Sequence, residues 1–152
     1  MRDDVPSDDV LGYLKTLISF DTVSYKPNRP LIEWAAEECR AAGASLIFDE
    51  ADDGEHVNML ASWGNGPGGL VLSGHTDVVP VDGQAWSNPP FTATIHDDRV
   101  YGRGACDMKG FLAVAMACAI RYGRNAKPDA PPIHVAFSYD EERGCLGIPG
   151  LL

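Results

Sequence analysis

The sequence predicts an α/β domain in which helices pack against a layered sheet. Three observations carry this expectation. Two early segments repeat apolar residues at helical spacing. From Ala44 onward a series of short apolar runs alternates with Gly, Pro and Asp. A further helical segment and one more apolar run follow Asp107. A length of 152 residues with 45% apolar content fits a single domain with its own core.

The first helix is expected over residues 8–19. Val10, Leu11, Leu14, Leu17 and Ile18 share one face there, and Ser7 and Asp8 are suitable caps. The stretch SYKPNRP breaks the pattern. A second helix opens with Pro30 near its first position and runs through LIEWAAEECRAAG, where Gly43 supplies a left-handed stop. Strands are then expected at ASLIFDE, HVNMLASW and GLVLSG, followed by a hairpin of FTATIHDD and RVYGRG turning through Asp97 and Asp98. The helix MKGFLAVAMACAIRYG, the Pro-rich KPDAPP and the strand IHVAFSY complete the chain's regular structure. No internal repeat or low-complexity tract is present.

Twelve Lys and Arg against twenty-two Asp and Glu give a net charge of -10, which repels phosphate backbones and anionic lipid surfaces. No nucleic-acid partner and no membrane partner are expected. The N-terminal residues show no basic segment followed by an apolar one, and no window approaches the ~18 apolar residues of a membrane span. A soluble, cytoplasmic protein is the expectation. Cys39, Cys106, Cys118 and Cys145 form no C-x-x-C pair, so reduced thiols are expected rather than a zinc knuckle or a redox motif.

Several stretches imitate functional motifs. GNGPGG at 64–69 satisfies G-x-G-x-x-G, but a strand rather than a helix follows it, so it reads as a hairpin loop. DEADDGEH at 49–56 lacks the oxygen ligands of a calcium loop and reads as a solvated turn. His56, His96 and His134 stand alone in turns or at a strand start and read as solvent-facing or hydrogen-bonded side chains. Cys106 reads as a small hydrophobe, although its place beside Asp107 allows a soft ligand.

Three clusters carry the chemistry: His75 with Asp77 in SGHTDVVPVDG, Asp107 in GRGACDMKG, and Asp140, Glu141 and Glu142 in SYDEERG. Each alone has an ordinary reading, as a chance His-x-Asp, a helix cap or a solvated turn. Together they place one imidazole and several carboxylates where strands meet loops, and that donor set suits hard to borderline divalent cations. A short Asp at a tight turn can bridge two ions, and Asp77 lies close enough to orient the His75 ring. Adjacent Glu141 and Glu142 point in different directions, so one can bind metal while the other moves protons.

SGHTDVVPVDGQAWSNPPF, VYGRGACDMKGFLA and FSYDEERGCLG resemble the dinuclear zinc deacylases and exopeptidases. That family includes the acetylornithine deacetylases, succinyl-diaminopimelate desuccinylases, glutamate carboxypeptidases and aminoacylases. VPVDGQAW, GRGACDMKGF, LISFDTVS and PNRPLIEWA make the acetylornithine deacetylases the nearest branch. The resemblance implies a mixed central sheet flanked by helices, with residues 1–152 forming the N-terminal part of a metallohydrolase catalytic domain.

By the resemblance, His75 binds the first zinc and Asp77 orients it. Asp107 bridges two zinc ions across a cis Asp107–Met108 peptide, Glu142 binds the second zinc, and Glu141 is the general base. Cobalt is a possible substitute metal. The implied reaction is hydrolysis of a small N-acyl amino acid, with N-acetylornithine favoured and acetate and ornithine as products, a step of arginine biosynthesis. The alternatives are another N-acyl amino acid or a dipeptide as substrate, or a non-catalytic interaction module.

Family members are expected to be homodimers. They continue through a further carboxylate ligand, a lid or dimerisation domain and a late histidine ligand, none of which this sequence contains. Residues 1–152 alone are therefore expected to bind zinc weakly, to turn over little substrate and to expose apolar surface.

Overall fold

The computed structural model describes residues 7–127 and 129–152, with side chains from Asp9 onward. Helix α1 spans Ser7–Ser19 and buries Leu14, Leu17 and Ile18, as its apolar spacing predicts. The expected capping by Ser7 and Asp8 lies outside the described side chains. Helix α2 spans Arg29–Ala41 with Pro30 in its first turn. It ends where Gly43 adopts φ +84 and the N–H groups of Gly43 and Ala44 return to Arg40 O and Cys39 O, both at 3.0 Å.

Asn28 stands just before α2 and is 1% exposed, but its side chain does not cap the helix. It reaches across to strand β2 (Val57–Trp63), where Oδ1 accepts the Val57 N–H at 2.8 Å and Nδ2 donates to Val57 O at 2.9 Å. The start of α2 is thereby fixed to the sheet.

The main sheet also contains β1 (Ser45–Glu50), β3 (Leu70–His75) and β6 (Ile133–Ser138), in the order β1-β2-β6-β3. The β1–β2 and β2–β6 pairs are antiparallel and β3–β6 is parallel, so the expected mixed α/β sheet is present. A separate hairpin pairs β4 (Thr94–His96) with β5 (Arg99–Tyr101). It turns through Asp97 and Asp98, both at positive φ, as a two-residue hairpin turn requires.

Helix α3 spans Lys109–Asn125. Alternate residues Val57, Met59, Ala61 and Trp63 of β2 and Val135 and Phe137 of β6 share one core with α1, α2 and α3. On the opposite face Ile47 and Val71 are 65% and 56% exposed. Among the described residues no helix is long and apolar enough to cross a membrane.

The segment 64–69 differs from the expected hairpin loop. Strand β6 lies between β2 and β3, so this segment crosses the end of β6 instead of joining neighbouring strands. Its glycines permit a close approach to the 130–132 backbone. A Cβ on Gly64, itself at φ +88, would lie 2.9 Å from Ala130 O.

The parallel β3–β6 pair decides where the chemistry sits. His75 is in register with Ser138, so the loops carrying Asp77 and Asp140–Glu142 leave the same end of the sheet together. That is the end where ligand sites of α/β sheets gather.

One contact tests the α3–sheet packing. A Cβ on Gly123 would overlap Cδ1 of the buried Trp63 indole, whose Nε1–H donates to Ala42 O at 3.0 Å. Alanine is the better helix former by ~1 kcal/mol. Overpacking the indole is nevertheless expected to make Gly123→Ala destabilising by about 1–3 kcal/mol net. Urea unfolding checks this, and an unchanged or higher midpoint would contradict the tight contact.

Candidate metal centre

His75 ends β3 and is buried along with Asp77, at 5% and 3% exposure. Its Nδ1 lies 2.9 Å from the Asp77 backbone O and 3.4 Å from Asp77 Oδ1. With Nδ1–H donating to that carbonyl, Nε2 faces outward, 3.2 Å from Asp107 Oδ1 and 3.7 Å from Glu141 Oε2. Asp107 occupies the turn before α3, the Asp107–Met108 peptide is cis, and the Asp107 side chain is 77% exposed.

Beyond β6, Asp140 turns the chain at φ +51 into a 3-10 turn over Glu141–Arg143. The backbone N–H groups of Glu141 and Glu142 donate to Asp77 Oδ1 at 3.0 Å and Oδ2 at 3.2 Å. The structure thus brings together five of the six residues in the three clusters, His75, Asp77, Asp107, Glu141 and Glu142, while Asp140 accepts from the Tyr25 N–H and Arg143. One ligand atom from each of His75, Asp107 and Glu142 falls in a group whose members all lie within 4.8 Å of one another. Glu141 stands beside this group, and Asp77 lies behind His75.

Asp77 also accepts the Ser24 hydroxyl at 2.6 Å. Nothing in the sequence assigned Ser24 a role. It lies 53 residues away in a segment, LISFDTVS, that contributed only to the family resemblance.

The charges of the group shift its titrating members in opposite directions. Burial pushes the Asp77 carboxyl up, but hydrogen bonds from His75, Ser24 and two backbone N–H groups outweigh it and hold the group below its usual range. Burial pushes the His75 ring down. Its bonds to the Asp77 side chain and carbonyl, with the negative charges of Asp77 and Glu141, reverse this and raise it to about 9. Burial and the nearby Asp107 charge raise Glu142. A carboxyl raised by a neighbouring negative charge, as Glu142 is, is relieved by a cation placed beside it.

The remaining histidines have local partners. His56 Nδ1 is 2.6 Å from Asp53 Oδ2, His134 Nδ1 is 2.7 Å from Ser62 Oγ, and His96 stacks on Tyr101 with centroids 4.0 Å apart. Cys106 is exposed beside Asp107 but does not join the ligand group.

The sequence pattern of peptidase family M20/M25/M40 matches residues 71–152, more than half the chain and all three clusters. The chain belongs to this family. The acetylornithine deacetylase of Myxococcus xanthus is 38% identical over all of the chain and 40% of its own length. That of Klebsiella pneumoniae (strain 342) is 40% identical over 79% of the chain and 31% of its own length. This M20 chain therefore spans less than half of the relatives it matches.

Among solved structures, human carnosine dipeptidase 1 superposes with a TM-score of 0.79 at 26% identity, covering 95% of the chain and 34% of that protein. An M20 family metallo-carboxypeptidase from Sulfolobus solfataricus also gives 0.79, at 24% identity, over 93% of the chain and 33% of its own length. The mixed sheet with its flanking helices is therefore the fold of M20 exopeptidases over this part of their length.

A metal held by His75 would compete with protons. With its pKa raised to about 9, His75 is protonated in the metal-free chain at neutral pH and must lose that proton to offer Nε2. Metal uptake near pH 7.5 is expected to release about one proton per ion from this group, and apparent affinity to rise with pH until about 9. Calorimetric titration in buffers of different ionisation enthalpy measures the release. Uptake without proton release, independent of pH, would contradict His75 as a ligand.

Proposed function

We propose that these residues belong to a metal-dependent amidohydrolase that hydrolyses small N-acyl amino acids, with N-acetylornithine as the favoured substrate and zinc as the metal. In this reading residues 1–152 are the N-terminal part of its catalytic domain. The observation that carries it is the convergence of His75 at the end of β3, Asp107 before α3 and Glu142 in the turn after β6, with Glu141 beside them. The identity to acetylornithine deacetylases over the whole chain supports the substrate class.

One imidazole and two carboxylates form a donor set that zinc accepts in catalytic sites, where three protein ligands leave a position open. A divalent cation in such a set acidifies water and polarises an amide carbonyl. These three ligands suffice for one ion. In the dinuclear arrangement implied by the resemblance, His75, Asp107 and Glu142 would be divided over two ions, and further donors would have to complete each set.

The protein groups around this donor set have distinct tasks. Asp77 keeps His75 in the tautomer whose Nε2 faces the site. Glu141 is held by its own backbone N–H on Asp77 while its carboxylate faces His75, so it can take a proton from the attacking water. The water oxygen bonds to the carbonyl carbon, the C–N bond breaks, and Glu141 delivers the proton to the departing amine. Acetate and the free amino acid result from N-acetylornithine.

Next to Asp107, an open cavity of about 510 Å³ reaches Cys106 and is lined by Trp86, Asn88 and Tyr101 among others. It offers a small amphipathic substrate both apolar walls and hydrogen-bonding groups. The resemblance in fold to carnosine dipeptidase 1, at 26% identity, favours dipeptides as the second substrate class.

The test is zinc-dependent acetate release from N-acetylornithine by the protein that carries these residues, with dipeptides assayed in parallel. Glu141→Gln is expected to lower kcat by about 10²–10⁴ while metal is still bound. A rate within threefold of the unaltered protein contradicts Glu141 as base. Turnover of dipeptides alone supports the second substrate class, and no turnover of either by the metal-loaded protein overturns the hydrolase reading.

A further inference from the structure

Resting on the metal-site reading above, a second observation concerns residues 20–25, which run past all three ligand-bearing loops and bond to each. At one end Lys109, fully buried and two residues beyond Asp107, donates from Nζ to Phe20 O at 2.8 Å. In the middle, Val23 bridges Val78 in parallel fashion. There the Val78 N–H donates to Thr22 O at 3.0 Å, the Ser24 N–H donates to Val78 O at 3.0 Å, and the Thr22 hydroxyl donates to Thr76 O at 2.6 Å. At the far end Ser24 Oγ donates to Asp77 Oδ2 at 2.6 Å, and the Tyr25 N–H donates to Asp140 Oδ1 at 3.3 Å. Thr22, Val23 and Ser24 are all nearly inaccessible to solvent.

Core packing alone does not explain this pattern. An apolar residue fills space at positions 24 and 109 without leaving polar atoms to satisfy, and a buried amine or hydroxyl is costly unless bonded. Both polar atoms here are spent on one irregular segment and on the loops that carry His75 and Asp107. Ligands delivered by three loops need a common partner, because a donor set tolerates only about 0.5 Å of misplacement.

We propose that residues 20–25 are a bracket that sets the mutual spacing of His75, Asp107 and Glu142, with Ser24 and Lys109 as its positioning residues. Ser24 acts through Asp77, which holds both the His75 ring and the N–H groups of Glu141 and Glu142. Lys109 acts through the Phe20 carbonyl on the turn that contains Asp107.

The test is Co²⁺ titration of the protein that carries these residues, followed by visible absorption, with urea unfolding of the metal-free protein alongside. Ser24→Ala is expected to weaken Co²⁺ binding about 10- to 100-fold and to alter the absorption band, the range seen when an outer partner of a metal ligand is lost. Ser24→Thr, which keeps the hydroxyl, is expected to restore most of the affinity.

Lys109→Met separates positioning from both charge and stability. Burial lowers the Lys109 ammonium to about 7, so whatever part of it is charged opposes a nearby cation and its removal strengthens binding by charge alone. An apolar side chain of similar length in a buried position keeps or raises the urea midpoint. The bracket predicts weaker Co²⁺ binding nonetheless, and this variant carries the test if Ser24→Ala does not fold. Folded Ser24→Ala or Lys109→Met protein that binds Co²⁺ within threefold of the unaltered chain, with the same spectrum, overturns the bracket and leaves the metal site standing. Absence of Co²⁺ binding by the unaltered protein overturns the metal site itself, and the bracket with it.

Discussion

The Asp77 carboxylate sits almost out of solvent, where an unpaired charge costs several kcal/mol. It is stable there because its oxygens accept from the Ser24 hydroxyl and from the N–H groups of Glu141 and Glu142, while the His75 ring lies against the same residue. One buried charge therefore collects three stretches of chain that are distant in sequence. Each donor it gathers is also a donor that the buried site must satisfy, so the site and this part of the fold stabilise each other.

That arrangement depends on the sheet. Only because β3 and β6 run parallel and in register from Leu70↔Ile133 to His75↔Ser138 do the imidazole and the glutamate pair leave the sheet at the same end. Helix α3 starts at the same place, so Asp107 meets them from a third direction. The apolar faces of α1, α2 and α3 are buried against one side of β2 and β6, and this core holds the three exits still relative to one another. The exposed Asp107 carboxylate and the crowded Glu142 are then the polar surface that this frame presents.

Much of this was legible in the chain because it is local. Helical spacing located α1 and α2, Gly43 marked the end of the second, and the pair Asp97–Asp98 marked the hairpin. The residues of the donor group were legible because residue type limits the chemistry: few side chains offer a metal an imidazole or a carboxylate at the end of a strand. The segment 64–69 was misread for the opposite reason. Its local composition suits a hairpin, but insertion of β6 between β2 and β3 is decided by pairing some seventy positions away, which no turn signal records. Ser24 was silent in the same way, since a hydroxyl has no pattern until its acceptor is placed beside it.

By itself, then, the sequence determined the elements and the inventory of donors, because backbone preferences, apolar periodicity and side-chain chemistry are properties of neighbouring residues. It also showed that one histidine and five acidic residues stand at element ends. The tertiary structure decided which strands are neighbours, that the ligand atoms of His75, Asp107 and Glu142 lie within 4.8 Å, and that residues 20–25 touch every loop that bears them. Those distances follow from burying one apolar core and satisfying one buried carboxylate at once, and both are conditions on the whole chain.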